Sequence, residues 1–197
     1  MENWFPKVYN SAMKPLEKIR VSQLREAIIE KAHGRVLEIG SGTGANFPFY
    51  RNVMRVDAIE PNPQMSRQST PQIAKSHVPI EIHTAKAEDL PFKDNFFDSV
   101  VATLVFCTIP DPEKALQEIR RVSKPGAVVL FLEHVRMPQS TLGKAQDIIT
   151  PLWRKTFDGC HLNRDTLGLI SQSPLSITKV DSYYKGFLLS IECVNDK

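Results

Sequence analysis

Val36-Leu37-Glu38-Ile39-Gly40-Ser41-Gly42-Thr43-Gly44 is the stretch whose reading decides the fold. Arg35 to Ile39 is a short apolar run leading straight into glycines, the mark of a buried strand. Glycine at every second position then makes a tight turn, where a Cβ would fill the space a ligand needs and where positive φ is often required. A helix should follow, with Asn46 to Tyr50 in its first turns and Pro48 limiting its regularity.

The pattern repeats outward from that loop. Arg55 to Glu60 reads as a second strand, closed by Pro61-Asn62-Pro63. Gln64 to Lys75 reads as a helix bent or broken at Pro71. Ile80 to Thr84 and Phe97 to Leu104 are further strands. Between Pro112 and Val122, Ala115, Leu116, Ile119 and Val122 share one face of an amphipathic helix. Lys124-Pro125-Gly126 should end it, with a fifth strand from Ala127 to Glu133. Such alternation implies an α/β fold, a doubly wound parallel sheet with helices on both faces. Ile177 to Tyr184 and Phe187 to Val194 break the rhythm. Lys185-Gly186 is too short for a parallel crossover, so these two runs should pair antiparallel.

The chain of 197 residues fits a single domain with one sizeable core. Residues 1–33 read as a helical cover, residues 34–135 as the binding core, residues 136–173 as an insertion over one end of the sheet, and residues 174–197 as the final hairpin. Apolar residues at 42% and charged ones at 24% exclude disorder as a whole-chain reading. The net charge of +3 comes without a basic run, so nucleic acid is not an expected partner. Cys107, Cys160 and Cys193 are odd in number and match no zinc motif, so reduced thiols in the cytoplasm and no metal are expected. No segment approaches the roughly 18 apolar residues of a membrane span, which leaves at most peripheral membrane contact. Either a monomer or a homodimer fits this composition.

The glycine loop alone leaves two chemistries open. Gly40-x-Gly42-x-x-Ala45 also satisfies a dinucleotide pattern, and Glu60 stands where either fold binds ribose hydroxyls. Glu38 weighs against a dinucleotide, because a carboxylate before the first glycine would face a pyrophosphate. It suits a sulfonium and an amino group instead; its alternative role is bracing the loop by accepting backbone amides.

Three later motifs occur in order: Ala87-Glu88-Asp89-Leu90-Pro91-Phe92, Phe96-Phe97-Asp98-Ser99-Val100-Val101, and Leu116 through Val122 to Ser123-Lys124-Pro125-Gly126. Over residues 35–133 the chain resembles class I S-adenosylmethionine-dependent methyltransferases of the ubiquinone/menaquinone, or type 11, branch. The resemblance implies a Rossmann-like seven-stranded sheet of order 3-2-1-4-5-7-6 with strand seven antiparallel. It also implies cofactor contacts from Glu38, Gly40, Ser41, Gly42, Gly44 and Asn46, and from Glu60 and Pro61 at the ribose. Asn62, Met65, Ala87 and Glu88 would flank the adenine, and Thr103 and Leu104 would lie beneath the methionine part. Relatives often carry Asp before the Ala-Glu pair, where this chain has Lys86.

Gly44-Ala45-Asn46-Phe47, Thr103-Leu104-Val105-Phe106-Cys107, Glu133-His134-Val135 and Phe157 to Arg164 are similar to methyltransferase-like proteins that methylate thiols. Those proteins carry an N-terminal hydrophobic anchor, a feature not expected here from Met1 to Asn10. The resemblance implies transfer to a small-molecule acceptor, a thiol first, with phospholipid-type and quinone-type acceptors as alternatives. A non-catalytic cofactor-binding regulator is a further one. His134, at the carboxyl edge of the sheet, and Asp158 are the catalytic candidates. Tyr9, Cys107, Cys160, Asn163 and Arg164 are the candidate acceptor contacts. Against each stands a plainer reading: a backbone-bonded histidine, a turn at Asp158-Gly159, a helix cap at Asn163, and inert buried thiols.

Overall fold

The computed structural model describes residues 21–197. The expected start of the helical cover, with Tyr9, lies outside the described residues. Seven strands form one sheet: β1 (Arg35–Ile39), β2 (Arg55–Ile59), β3 (Ile80–His83), β4 (Phe97–Thr103), β5 (Ser123–His134), β6 (Ser176–Tyr183) and β7 (Leu188–Val194). Their order is β3-β2-β1-β4-β5-β7-β6, as the resemblance implied. The first five pair in parallel, and β7 runs antiparallel to both β5 and β6. Around the sheet lie α1 (Ser22–Ile29), α2 (Pro63–Gln68), α3 (Thr70–Ile73), α4 (Pro112–Val122), α5 (Ser140–Thr156) and α6 (Thr166–Ser171).

The parallel register aligns the strand ends that build the site. Ile39 sits beside Ile59 on one flank and Ala102 on the other, so β1, β2 and β4 finish together. Alternation along β1 sends Leu37 and Ile39 into the core under α4, and Val36 into a second core shared with Ile28 and Ile29 of α1. Glu38 has the parity of Val36, which aims a carboxylate toward the α1 face.

Two expectations are corrected. In place of a helix after the glycine loop there is one 3-10 turn, Phe47–Phe49. Pro48 in that turn withholds an amide, while Phe47 and Tyr50, both fully buried, pull the chain into the core. The segment after Pro63 is broken near Pro71 as expected, dividing into α2 and α3 at Ser69. Strand β5 begins at Ser123, because Lys124-Pro125-Gly126 is taken up as an irregularity in the ladder. The register jumps there from Phe97 opposite Ser123 to Ser99 opposite Val128. Among the described residues no helix is long and apolar enough to cross a membrane.

Candidate active site

A cleft opens where β1, β2 and β4 end. Gly40, Gly42 and Gly44 all have positive φ, at 64°, 55° and 78°. The loop is tied down by the Ser41 amide donating to the Ile59 carbonyl at 3.0 Å and by the Gly44 amide donating to Ser41 at 2.8 Å. The glycines serve different needs. A Cβ on Gly40 would lie 2.2 Å from Val105 Cγ2, so this glycine admits the loop after β4. A Cβ on Gly42 would meet only Met65 Cε, at 3.6 Å, so this one keeps the cleft open.

Glu38, Gly40, Ser41, Gly42, Asn46, Glu60, Pro61, Asn62, Met65, Thr103, Leu104 and Asp158 of the sequence-derived set line this cleft. Gly44 does not; it packs on Phe47 and Ser69. Ala87 is core, and Glu88 accepts from the Asp111 amide at 3.3 Å, away from the cleft.

The cleft carries buried charge. Glu60, 7% exposed, accepts from the Gly42 amide through Oε2 and from the Asn62 amide through Oε1, both at 2.8 Å. Loop bracing, weighed for Glu38 in the sequence, is therefore carried by Glu60. Burial raises its carboxyl above the usual range. Glu38 accepts from Asn46 Nδ2 at 3.1 Å, and among the described residues its buried Oε2 has no hydrogen bond of ordinary geometry, with the Tyr50 hydroxyl nearby. Burial pushes its carboxyl up to about 7, against the opposing pull of Tyr50, Arg25 and Asn46. Arg25, 4% exposed, reaches in from α1 and donates through Nη1 to Asn46 Oδ1 at 2.9 Å and Thr103 Oγ1 at 2.5 Å. A guanidinium and a carboxylate thus share one polar knot inside the α1 core.

Behind the cleft lies a second group. Glu133 Oε1 accepts from the amides of Val105 and Phe106, at 3.0 and 3.1 Å, which fixes the loop after β4. His134 stacks on Phe187 and presents Nε2 to Cys160 Sγ at 3.4 Å. Cys107 stands beside Cys160, and the pairing of the two sulfurs lowers the Cys160 thiol and raises that of Cys107. Arg164 donates to the carbonyls of Phe106 and Ile109, and Asn163 to Asp147, so both brace loops. Asp165, and not Asn163, caps α6. Neither His134 nor the two cysteines line the cleft; Thr108 and Asp158, their chain neighbours, do.

A family profile described as a methyltransferase domain matches residues 37–131. Human thiol S-methyltransferase TMT1A is 33% identical over 190 residues, covering 91% of this chain and 78% of that protein. The rat thiol S-methyltransferase TMT1B is 38% identical over 150 residues, 74% of this chain. This chain belongs to the S-adenosylmethionine-dependent methyltransferases. It spans 62% of the length of the rat relative. A Thermotoga maritima methyltransferase, described as a possible histamine N-methyltransferase, shares the fold, with a TM-score of 0.70 at 19% identity over 98% of both chains.

The methyl donor of such a methyltransferase is S-adenosylmethionine, and the cleft fits it. The buried Glu38 Oε2 suits a cationic group, and the open face of Gly42 admits a ligand against the backbone. A dinucleotide fits poorly. The methyltransferase has no helix N-terminus at its glycine loop to hold a pyrophosphate, and two buried carboxylates flank the loop.

Arg25, Thr43, Ala45, Val105 and Thr108 also line the cleft and were not among the candidate site residues read from the sequence. Arg25 looks there like a solvent-facing cation on an amphipathic helix. One signal was available: it follows Leu24 and precedes Ile28 by a helical turn, on the stripe that packs inward.

Proposed function

We propose that this protein transfers the methyl group of S-adenosylmethionine to a small-molecule thiol. The observation that carries the transferase reading is the cleft itself, with Glu38, Glu60 and Arg25 buried around an open glycine loop. The thiol is supported by the names of the relatives that match most of the chain.

When bound, the cofactor supplies a methyl group already activated on a sulfonium, which leaves the protein to align the acceptor and exclude water. Glu38 takes the amino group and Arg25 the carboxylate of the methionine part, a division that matches their opposite charges. Glu60 keeps its two backbone amides and offers its remaining lone pairs to the ribose hydroxyls. Asn62 and Met65 flank the adenine. The acceptor enters beside Leu104, Val105, Thr108 and Asp158, where Asp158 orients it; the imidazole of His134 acts from behind that wall. Three free cysteines, two of them side by side, support a reducing compartment such as the cytoplasm.

Incubation with labelled cofactor and a panel of thiols, phenols, amines and quinols tests the reading. Label should appear on thiols. Label confined to another class overturns the thiol assignment. Intact binding of S-adenosylhomocysteine with no acceptor labelled favours a regulator, and binding of NAD in its place overturns the family of chemistry.

A further inference from the structure

Cys107, His134 and Cys160 are scattered in the sequence, yet the structure gathers them. One follows β4, one ends β5, and one lies in the turn after α5. Their candidate ligand atoms all fall within 4.8 Å of one another. We propose that these three side chains form a binding site for one soft divalent cation of the zinc class, with a fourth coordination position left open.

The geometry is near what such an ion requires. Bonds of about 2.3 Å to sulfur and about 2.0 Å to nitrogen, at tetrahedral angles, place sulfur and nitrogen roughly 3.5 Å apart. Cys160 Sγ and His134 Nε2 are 3.4 Å apart before any ion is considered. Two sulfurs and one imidazole form a soft donor set, which selects zinc-like ions over magnesium or calcium. Glu133 is adjacent but does not join the set; its Oε1 is held by the Val105 and Phe106 amides. Three protein ligands with no fourth is the pattern of zinc sites that keep a position for water or substrate.

The frame around the three is already fixed. The His161 amide donates to the Cys107 carbonyl at 2.9 Å, tying the two cysteine loops together. The Cys160 amide donates to Phe157 at 2.9 Å, and Arg164 anchors the Cys107 loop through Phe106 and Ile109. Ligands held this way lose little freedom on binding an ion. No zinc motif is visible in the sequence because each ligand comes from a different element.

The site backs onto the cleft. Leu104 lines the cleft and its carbonyl accepts from the Cys107 thiol at 3.9 Å, while Thr108 and Asp158 lie beside Cys107 and Cys160 in the chain. An acceptor thiol that reaches the open position would be held there as its thiolate. That use of the open position rests on the thiol reading above; the site itself does not.

The test uses the full chain, reduced, stripped with a chelator and titrated with Co²⁺. One equivalent should give sulfur-to-cobalt charge-transfer absorption and the intense visible bands of four-coordinate cobalt, reversed by Zn²⁺. Cys107→Ser and Cys160→Ser should each weaken cobalt binding more than about 100-fold, and Cys193→Ser should leave it intact. A cobalt spectrum that is absent while all three thiols titrate as free overturns the proposal. So does one that survives in both serine variants, or a Cys107–Cys160 disulfide that forms in the presence of metal. Adding a small thiol to the cobalt form should shift the visible bands. Cobalt binding without that shift refutes only the acceptor role, and S-adenosylhomocysteine calorimetry on the stripped protein reports separately whether the methyltransferase reading stands.

Discussion

Cofactor binding should release a proton, and Glu38 is the group that loses it. Its carboxyl is held at about 7 in the free protein, chiefly by burial. A ligand that brings an ammonium and a sulfonium to this carboxyl needs it ionised, so binding and protonation compete. With the free value at about 7, the fraction ready to bind is about nine-tenths near pH 8 and about one-thirtieth near pH 5.5. Affinity should therefore fall about 30-fold over that interval, roughly 2 kcal/mol. S-adenosylhomocysteine is the practical ligand, since its amino group makes the same demand without turnover. Isothermal titration calorimetry in buffers of different ionisation enthalpy should show about half a proton released per site near pH 7. Glu38→Gln should bind more weakly at high pH and lose most of the slope. Tyr50, the neighbouring phenol, is pushed well above this range by burial and does not contribute to the slope. Affinity that is flat between about pH 5.5 and 8, or a slope unchanged in Glu38→Gln, would refute the assignment of the ammonium to Glu38.

Two other substitutions probe the same knot of structure. Arg25→Met should cost about 1–3 kcal/mol in chemical denaturation, because it strands the buried Asn46 Oδ1 and Thr103 Oγ1 and removes a cation near Glu38, and Arg25→Met with Glu38→Gln should recover part of that loss. Gly40→Ala should lose about 3 kcal/mol, combining a left-handed backbone with a Cβ 2.2 Å from Val105; adding Val105→Ala should recover the steric share alone, and full recovery would show that the φ of 64° carries no strain.

The fold was legible where apolar periodicity and turn chemistry agree. The parallel strands could be read from short apolar runs closed by glycine or proline, and the antiparallel end from the brevity of Lys185-Gly186. Strand order came from the resemblance, since periodicity carries no information about neighbours. The 3-10 turn at Phe47–Phe49 escaped because two buried aromatics outweigh a weak local preference, which only the packed core reveals. Most of the cleft lining was legible because loop residues at strand ends are placed by backbone position. Arg25 was not, for its role depends on meeting Asn46 and Thr103, residues distant in the chain. Likewise, nothing in the spacing of Cys107, His134 and Cys160 foretells that a strand end and two loops converge.

The missing helix after the glycine loop reaches beyond topology. Where a long helix begins at such a loop, its aligned peptide dipoles impress a permanent positive potential that no side-chain change can erase. Here the sign of the potential belongs to Glu38, Glu60, Arg25 and Asp158, all of which line the cleft. The charge that this cleft presents to a ligand is consequently written in side chains. It can be retuned by proton concentration, or weakened by a single substitution, without moving the backbone.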